Sequence, residues 1–307
     1  MFIQTGLVTA DAPAPCVIKA DALAVTPLDD SHTGEVLAFL NERPTYTFMM
    51  GGLIRDNGLE SPLNRGTFYA CRDRKGRLVG VTLIGEITML EARIEAALAT
   101  FANLTQDIPN IYMIIGEQEG VERFWDYYVK QGQPKRLFCR ELLYELRFPV
   151  NAFEAVPNLR PATRDDLDLV MPVHANMAFE ESGINPLDVD PQGFRQRCLR
   201  RIEQERVWVW VENKSLIFKA DIISETPEVI YLEGVYVKLE DRGRGYGLRC
   251  LFQLSRNLLK RTKSICVLVN EQNHTAQELY RKAHYQLRGR YDTVFLTQTQ
   301  QTLSANA

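Results

Sequence analysis

The segment Arg242-Gly243-Arg244-Gly245-Tyr246-Gly247 is the part of this chain best suited to hold a charged ligand. Glycines let a backbone come close to whatever it binds. A helix is predicted to begin here, with Leu248, Leu251, Phe252, Ser255 and Leu259 along one face. The free amides at a helix start point outward and its dipole favours an anion, so the segment has the physics of a diphosphate cradle. Arg242, Arg244, Arg249, Arg256, Lys260, Arg261 and Lys263 crowd the same stretch. They read either as a solvated helix face or as help for an additional phosphate. A plain glycine turn flanked by solvated arginines is the competing reading of the loop. A Walker loop is excluded, because no Gly-Lys-Ser/Thr follows. A dinucleotide fold is disfavoured, because the position near 265 that should be acidic reads Ile-Cys-Val.

Two further residues are suited to proton chemistry. Glu233 lies in the strand Tyr231-Leu232-Glu233-Gly234-Val235-Tyr236-Val237, where alternation puts it on one face with Tyr231, Val235 and Val237. A carboxylate among apolar groups has a raised pKa, which suits a base that takes a proton from an ammonium near neutrality. A structural salt bridge is the alternative, and a bulge at Gly234 would change the facing. Tyr280 shares a helix face with Ala276, Leu279 and Ala283, in a helix started by the capping-box spacing of Thr275 and Glu278. Spacing alone makes Tyr280 a core tyrosine with a satisfied hydroxyl. Asp221, Glu180 and Glu181 are further acidic candidates for holding a cationic acceptor, or else surface charge. Trp208 and Trp210 share a strand face and read as core.

The elements that must position these residues follow a repeated order. In the first half, Glu35 to Leu40 reads as a helix that ends before Arg43-Pro44. Thr67 to Arg72 and Leu78 to Ile84 read as strands joined by the turn Asp73-Arg74-Lys75-Gly76. Leu90 to Leu104 has helical spacing, Ile111 to Ile115 reads as a strand and Val121 to Tyr128 as a helix. In the second half a strand near Leu159 is followed by helices from Arg164 to Phe179 and Pro191 to Glu205. Three strands come next, at 207–211, 216–223 and 229–237, with Asn213-Lys214 as a turn. After the glycine loop and its helix come a strand at 265–269, a helix at 275–282 and a last strand near Tyr291 to Phe295. This mixture predicts α/β or α+β layers, and the parallel between the halves predicts two copies of one fold.

Size and composition agree with two domains. A chain of 307 residues exceeds what one hydrophobic core usually serves. A net charge of -3 and a pI near 5.9 give no reason to expect nucleic acid or an anionic membrane as partner. The six cysteines are scattered without a Cys-x-x-Cys pair and the histidines number four, so buried thiols in a reducing compartment are expected, with no metal. The N-terminus has no signal-peptide pattern and no run of about 18 apolar residues occurs, so the expected location is the cytoplasm. The expected layout is a tail at 1–15, a first domain at 16–150, a second at 156–297 and a tail at 298–307. The boundary falls near Pro149 to Pro157, where Pro, Asn and Ala interrupt the periodic segments.

The strand, the Arg-Gly-Arg-Gly-Tyr-Gly loop with its helix, and then Asn273-x-x-Ala276-x-x-Leu279-Tyr280-x-Lys282 resemble the GNAT acetyltransferases, in order over roughly Leu159 to Leu296. One departure is Ala283, where the family often has Gly before an aromatic. The first half, through Phe39-Leu40-Asn41-Glu42-Arg43-Pro44, Arg65-Gly66-Thr67-Phe68-Tyr69 and Ile115-Gly116-Glu117 with Phe124-Trp125, is similar to an uncharacterised domain that precedes GNAT domains in some bacterial proteins. It lacks the glycine loop and reads as a degenerate copy without its own cofactor.

The resemblance implies two tandem GNAT-like domains, each a mixed, mostly antiparallel sheet flanked by helices. It implies an acetyl-CoA-dependent N-acetyltransferase in which a primary amine attacks the thioester directly. The main-chain groups of Val235 and Val237 would pair with the pantetheine arm. Loop amides of Gly243, Arg244, Gly245, Tyr246 and Gly247 would hold the pyrophosphate, Arg242 would also bind the cofactor, and Asn273 would support it near its helix start. Glu233 would act as base, and Tyr280 would protonate the departing thiolate. A non-catalytic acyl-CoA-binding or regulatory protein is the alternative, and a nucleotide-binding protein the third reading. The acceptor, the acyl length and the oligomeric state are not legible in the sequence.

Overall fold

The computed structural model describes residues 23–109, 111–148 and 155–297. The expected tails at 1–15 and 298–307, and residues 149–154 of the expected boundary, lie outside the described residues. Two compact units divide the chain. One contains residues up to 139 together with 292–298, and the other contains 140–291.

The first unit runs β1 (Ala24–Pro27), α1 (Thr33–Leu40), α2 (Pro44–Asn57), β2 (Gly66–Arg72), β3 (Leu78–Gly85), β4 (Ile87–Ala92), α3 (Glu95–Gln106), β5 (Met113–Glu117) and α4 (Gln118–Tyr128). It then enters β6 (Lys135–Leu146). The strands lie in the order β1-β2-β3-β4-β5, and only β4 and β5 pair in parallel. Alternation sends Phe68, Ala70, Val81 and Leu83 to α1 and α2, and Cys71 and Ile84 to α3 and α4.

The helix read from Glu35 to Leu40 does end before Arg43-Pro44, and Pro44 opens the next helix, sitting in the first turn of α2, where its missing N–H costs nothing. One expectation needs correction here. Residues 90–92 are strand rather than helix. Pairing of Leu90 with Thr82 and Ala92 with Gly80 overrides their helical spacing, so the helix starts only at Glu95.

The second unit repeats the order: β7 (Leu159–Pro161), α5 (Leu167–Ser182), the one-turn α6 (Pro186–Val189), α7 (Pro191–Glu203), β8 (Val207–Glu212), β9 (Ser215–Glu225), β10 (Val229–Val237), α8 (Tyr246–Leu258), β11 (Ser264–Asn270), α9 (His274–Lys282) and β12 (Gln286–Leu296). Its sheet order is β6-β11-β10-β9-β8-β7, antiparallel throughout except β10 with β11. Phe218, Ala220, Ile222, Ile230, Leu232, Ile265 and Val267 face α8 and α9. Val207, Val209 and Leu216 face α5 and α7. Asn213 and Lys214 make the β8–β9 turn with φ of 48° and 60°.

The units divide the chain differently from the expected spans at two places. Residues 140–146 of β6 pair with β11, from Leu146 opposite Ile265 to Glu141 opposite Asn270, and so belong to the second unit. Residues 292–296 of β12 belong to the first, where Val294 and Leu296 join its core. A strand belongs to the sheet whose edge it satisfies, and chain order does not report that.

Candidate active site

The site grows from an extra residue in β10. Glu233 lies opposite Asp221 and Tyr236 opposite Lys219, so three steps on β10 match two on β9. The bulge includes Gly234, whose φ of 60° is left-handed. A Cβ at Gly234 would lie 2.5 Å from Asp221 Oδ2 and 2.7 Å from Lys219 Nζ, so position 234 needs glycine on two counts.

The bulge reverses the facing of the strand. Ile230 and Leu232 point to the α8 side before it, and Val235 and Val237 point there after it. Tyr236 points to the α5–α7 side. Glu233 therefore keeps Tyr231 on its face but not Val235 and Val237, against the alternation read from sequence. Its side chain is exposed rather than set among apolar groups.

The bulge also marks where β10 and β11 part. Their parallel register ends at Leu232 opposite Val267, although β11 continues to Asn270. Lys238 N–H donates to Ile217 O on β9 at 2.9 Å. By alternation the main-chain groups of Val237 point the other way, to the edge that β11 has left. There the Val237 carbonyl accepts from Arg242 Nε at 3.0 Å.

The glycine loop comes next. Gly243 and Gly245 have φ of 77° and 78°, and nothing lies within 4 Å of a Cβ built on either. Glycine is required there by backbone angle, and the loop is open to solvent. Gly247 is different: its Cβ would come 3.0 Å from Val237 Cγ2, so glycine lets α8 approach β10. The first helical bond runs from Arg249 N–H to Gly245 O at 3.1 Å, and no side chain caps the helix. The amides of Tyr246, Gly247 and Leu248 thus have no intrahelical acceptor. Uncapped donors, open glycines, the positive end of the dipole and the nearby Arg242 and Arg244 fit a diphosphate group. Arg244 is braced by Asp241 at 3.1 Å.

Helix α9 supplies Tyr280. Asn273 caps this helix through Oδ1, which accepts from Ala276 N–H at 3.0 Å. This corrects the capping box expected at Thr275. Glu278 instead pairs with Lys282 one turn on, at 2.8 Å. His284 takes the left-handed position after the helix, with φ of 66°, one residue beyond the Ala283 that departs from the family pattern. Tyr285 N–H closes the turn onto Tyr280 O at 3.0 Å.

Tyr280 is 6% exposed, with Tyr144 and Tyr285 at ring distances of 6.5 and 5.5 Å. Its hydroxyl has no hydrogen-bond partner among the described residues and is not among the fully enclosed atoms, whereas that of Tyr285 meets Ser255 Oγ at 3.0 Å. Burial first, and then the charge of Glu233, push the Tyr280 phenol up, so it stays protonated as a donor. Glu233 thus lies near enough for its charge to act on Tyr280.

The other acidic candidates separate. Glu180 accepts from Asn176 at 2.8 Å. Asp221 is buried and cannot meet an acceptor from solvent: His174 Nε2 lies 2.8 Å from Oδ2, which Lys219 also contacts. Burial alone would raise the Asp221 carboxyl, but Lys219 and His174 outweigh it and hold it lowered to about 2. His174 Nδ1 lies 3.4 Å from Cys198 Sγ, and burial lowers the His174 pKa while raising that of Cys198. Sequence reading missed Lys219, His174 and Cys198. The available signal was Lys219 two residues before Asp221 in an otherwise apolar strand, which puts both on one face.

Glu181 remains solvent-accessible but is crowded by protein. That crowding, and then the charges of Glu233 and Glu141, raise its carboxyl to about 8. Trp208 and Trp210 pack against the core only in part, and Trp210 lies 4.9 Å from the Tyr246 ring. Cys71, Cys139, Cys198, Cys250 and Cys266 are free thiols, and Cys16 lies outside the described residues. Among the described residues no group of three His, Cys, Asp or Glu is placed to hold a metal, and no helix is long and apolar enough to cross a membrane.

Residues 220–295 match the model of the FR47-like protein family. No curated protein matches the sequence. Among solved structures, an acetyltransferase of the GNAT family from Colwellia psychrerythraea aligns over 89% of this chain and 100% of its own, with a TM-score of 0.54 and 12% identity. A tandem GNAT protein from the clavulanic acid biosynthesis pathway aligns over 90% and 99%, with a TM-score of 0.56 and 14% identity. A GCN5-related N-acetyltransferase from Sphaerobacter thermophilus aligns over 91% and 98%, with a TM-score of 0.56 and 13% identity. The chain has the tandem GNAT fold.

Proposed function

We propose that this chain is an N-acetyltransferase that moves an acetyl group from acetyl-CoA to a primary amine. The observation that carries the reading is a conjunction in the second unit. One strand edge is left open after Leu232, a helix start is uncapped beside it, and a buried tyrosine, whose hydroxyl has no partner and is not closed off from solvent, feels the charge of Glu233. A structural glycine turn and a core tyrosine would not need all three.

Acetyl-CoA, when bound, supplies an activated thioester. The chain's own residues do the rest. The amides of residues 243–248 bind the pyrophosphate, and the main-chain edges of Val235 and Val237 align the pantetheine arm. For Val237 this requires Arg242 to release the carbonyl it holds. Asn273 has committed Oδ1 to its helix, so its side-chain NH2 is the group left for the cofactor. Holding an amine against a thioester accounts for most of the rate such a site needs. Glu233, exposed on the cleft, takes the proton from the incoming ammonium, directly or through a water. Tyr280, kept neutral by burial and by Glu233, gives its proton to the leaving thiolate. The first unit serves without a cofactor of its own, and the protein works in the cytoplasm.

The test is acetyl-CoA consumption by the full chain across a broad panel of amines. Turnover with at least one amine, sharply reduced in Tyr280→Phe, is the expected result. CoA binding without turnover, and no effect of Tyr280→Phe, would leave a non-catalytic acyl-CoA-binding protein. Displacement of CoA by ATP would favour a nucleotide-binding role for the loop.

A further inference from the structure

A second basic feature on α8 is not used by the site above. A cavity of about 250 Å³ is bounded by Arg249, Phe252, Gln253, Arg256 and Asn257 of the helix, and by Lys260 just beyond its end. Ala155 completes the lining, three of these side chains are cationic, and among the described residues no Asp or Glu lines the cavity.

Several other cations of the second unit have partners. Arg244 pairs with Asp241 at 3.1 Å, Arg261 with Glu225 at 2.8 Å, Lys263 with Glu228 at 3.7 Å and Lys282 with Glu278 at 2.8 Å. Arg256 and Lys260 have neither an ion pair nor a hydrogen bond among the described residues. Like charges around one concavity repel, and this chain has carboxylates to spare for neutralising them. We propose that the cavity binds a phosphate monoester, at a place separate from the amide cradle of the glycine loop.

The walls suit such a ligand. Gln253 is locked to the backbone of Val156, accepting from its N–H at 2.7 Å and donating to its carbonyl at 3.0 Å. Phe252 gives an apolar surface, and Asn257 an amide that can both donate and accept. A volume of 250 Å³ equals about eight water molecules at ~30 Å³ each, enough for a phosphate and a small organic group. Arg249 and Arg256 lie seven residues apart, about 10 Å along the helix, so a dianion between them meets charge from both ends. The uncapped amides of residues 246–248 lie at the helix start, short of Arg256 by two turns or more.

The monoester could be the 3′-phosphate of CoA or a separate phosphorylated metabolite. Calorimetry on the full chain distinguishes these with orthophosphate, CoA and CoA lacking its 3′-phosphate as probes. The variants are Arg256→Ala with Lys260→Ala, the single Arg256→Gln, and Gly243→Ala in the loop. A site for free phosphate requires that orthophosphate bind the unmodified chain, weaken about tenfold or more in the double variant, and be unaffected by Gly243→Ala. If the double variant weakens CoA about tenfold while leaving the form without the 3′-phosphate unchanged, the cofactor's own monoester occupies the cavity. Equal affinities for every probe in the unmodified chain and the double variant overturn the proposal, as does an unmodified chain that binds neither orthophosphate nor CoA. Orthophosphate binding without CoA binding would overturn the acetyltransferase reading alone.

Discussion

Replacing Gly234 with Ala probes the bulge through two separable costs. A left-handed backbone at φ of 60° disfavours any L side chain by about 1–2 kcal/mol. The new Cβ would also press within 2.5 Å of Asp221 Oδ2 and 2.7 Å of Lys219 Nζ. Neither atom has room to retreat: Lys219 is fully buried and Asp221 is 3% exposed, fixed by His174 as well. Overpacking of this kind costs about 1–3 kcal/mol, for a total near 2–5 kcal/mol. Gly243→Ala is the matched control, since its φ of 77° carries the same conformational cost while nothing lies within 4 Å of its Cβ.

Amide hydrogen exchange read on β9 and β10 measures the local cost without assuming that a chain of two units unfolds in one step. Gly234→Ala should lower protection across both strands by about 2–5 kcal/mol. Gly243→Ala should leave those strands protected but weaken CoA, because it disturbs only the cradle. Equal effects of the two substitutions on β10, or a loss under about 1 kcal/mol at 234, would refute the claim that the bulge is built against the buried Lys219–Asp221 pair.

Tyr280→Phe should lower the acetyl-transfer rate by about 10²-fold or more with unchanged CoA affinity. It should not lower the melting temperature, since its hydroxyl makes no hydrogen bond among the described residues. Lys219→Met should destabilise by about 3–5 kcal/mol by stranding the Asp221 charge, and a denaturation double-mutant cycle with Asp221→Leu should show much of that loss recovered. Asp166 is bonded to Arg160 at 2.7 and 3.0 Å, and this pairing holds its folded pKa below the unfolded value. Its contribution is therefore complete above about pH 5 and lost as pH falls through about 4 toward the lowered value, so Asp166→Asn should flatten the acid limb of a stability–pH curve.

What sequence disclosed was whatever depends on neighbouring residues. The strands at 67–72 and 207–211, the Asn213-Lys214 turn and the helix after the glycine loop are set by alternation, turn chemistry and helical spacing within a few residues. What it concealed depends on partners far along the chain. Residues 90–92 carry helical spacing but are claimed by β3, and residues 140–146 lie before the expected boundary but pair with β11. At the site, strict alternation put Glu233 with Val235 and Val237, and a single extra residue undid it. The glycine at 234 announced the bulge, yet only the register on β9 shows which side chains it turns over. The buried set of Lys219, Asp221, His174 and Cys198 comes from three separate elements, so only its Lys-x-Asp pair was open to inspection.

The first unit offers the reciprocal test of this logic. Its parallel pair also parts early, at Met89 opposite Ile115, while β4 runs on to Ala92 and β5 to Glu117. Beyond that parting the start of α3 is likewise without a side-chain cap, but its loop and its charges differ from those of the second unit. The chain passes from β4 to α3 through Arg93 and Ile94 without a glycine, and Glu95 occupies the first turn of the helix. A carboxylate there repels the anion that bare amides would attract. Arg43 spans the ends of the two strands, bonded to Glu91 at 3.0 Å and Glu117 at 2.5 Å, and Arg93 reaches Glu42 at 3.2 Å over the Phe39 ring. The gap between these strand ends is bridged by protein charge rather than left for a ligand. Titration of the full chain with CoA should accordingly saturate at one molecule per chain. Arg43→Ala should reduce stability without creating a second site, because removing the bridge restores neither the glycines nor the uncharged helix start. A stoichiometry of two in the unmodified chain would refute the requirement for a glycine-opened, uncapped helix on which the assignment of the second unit rests.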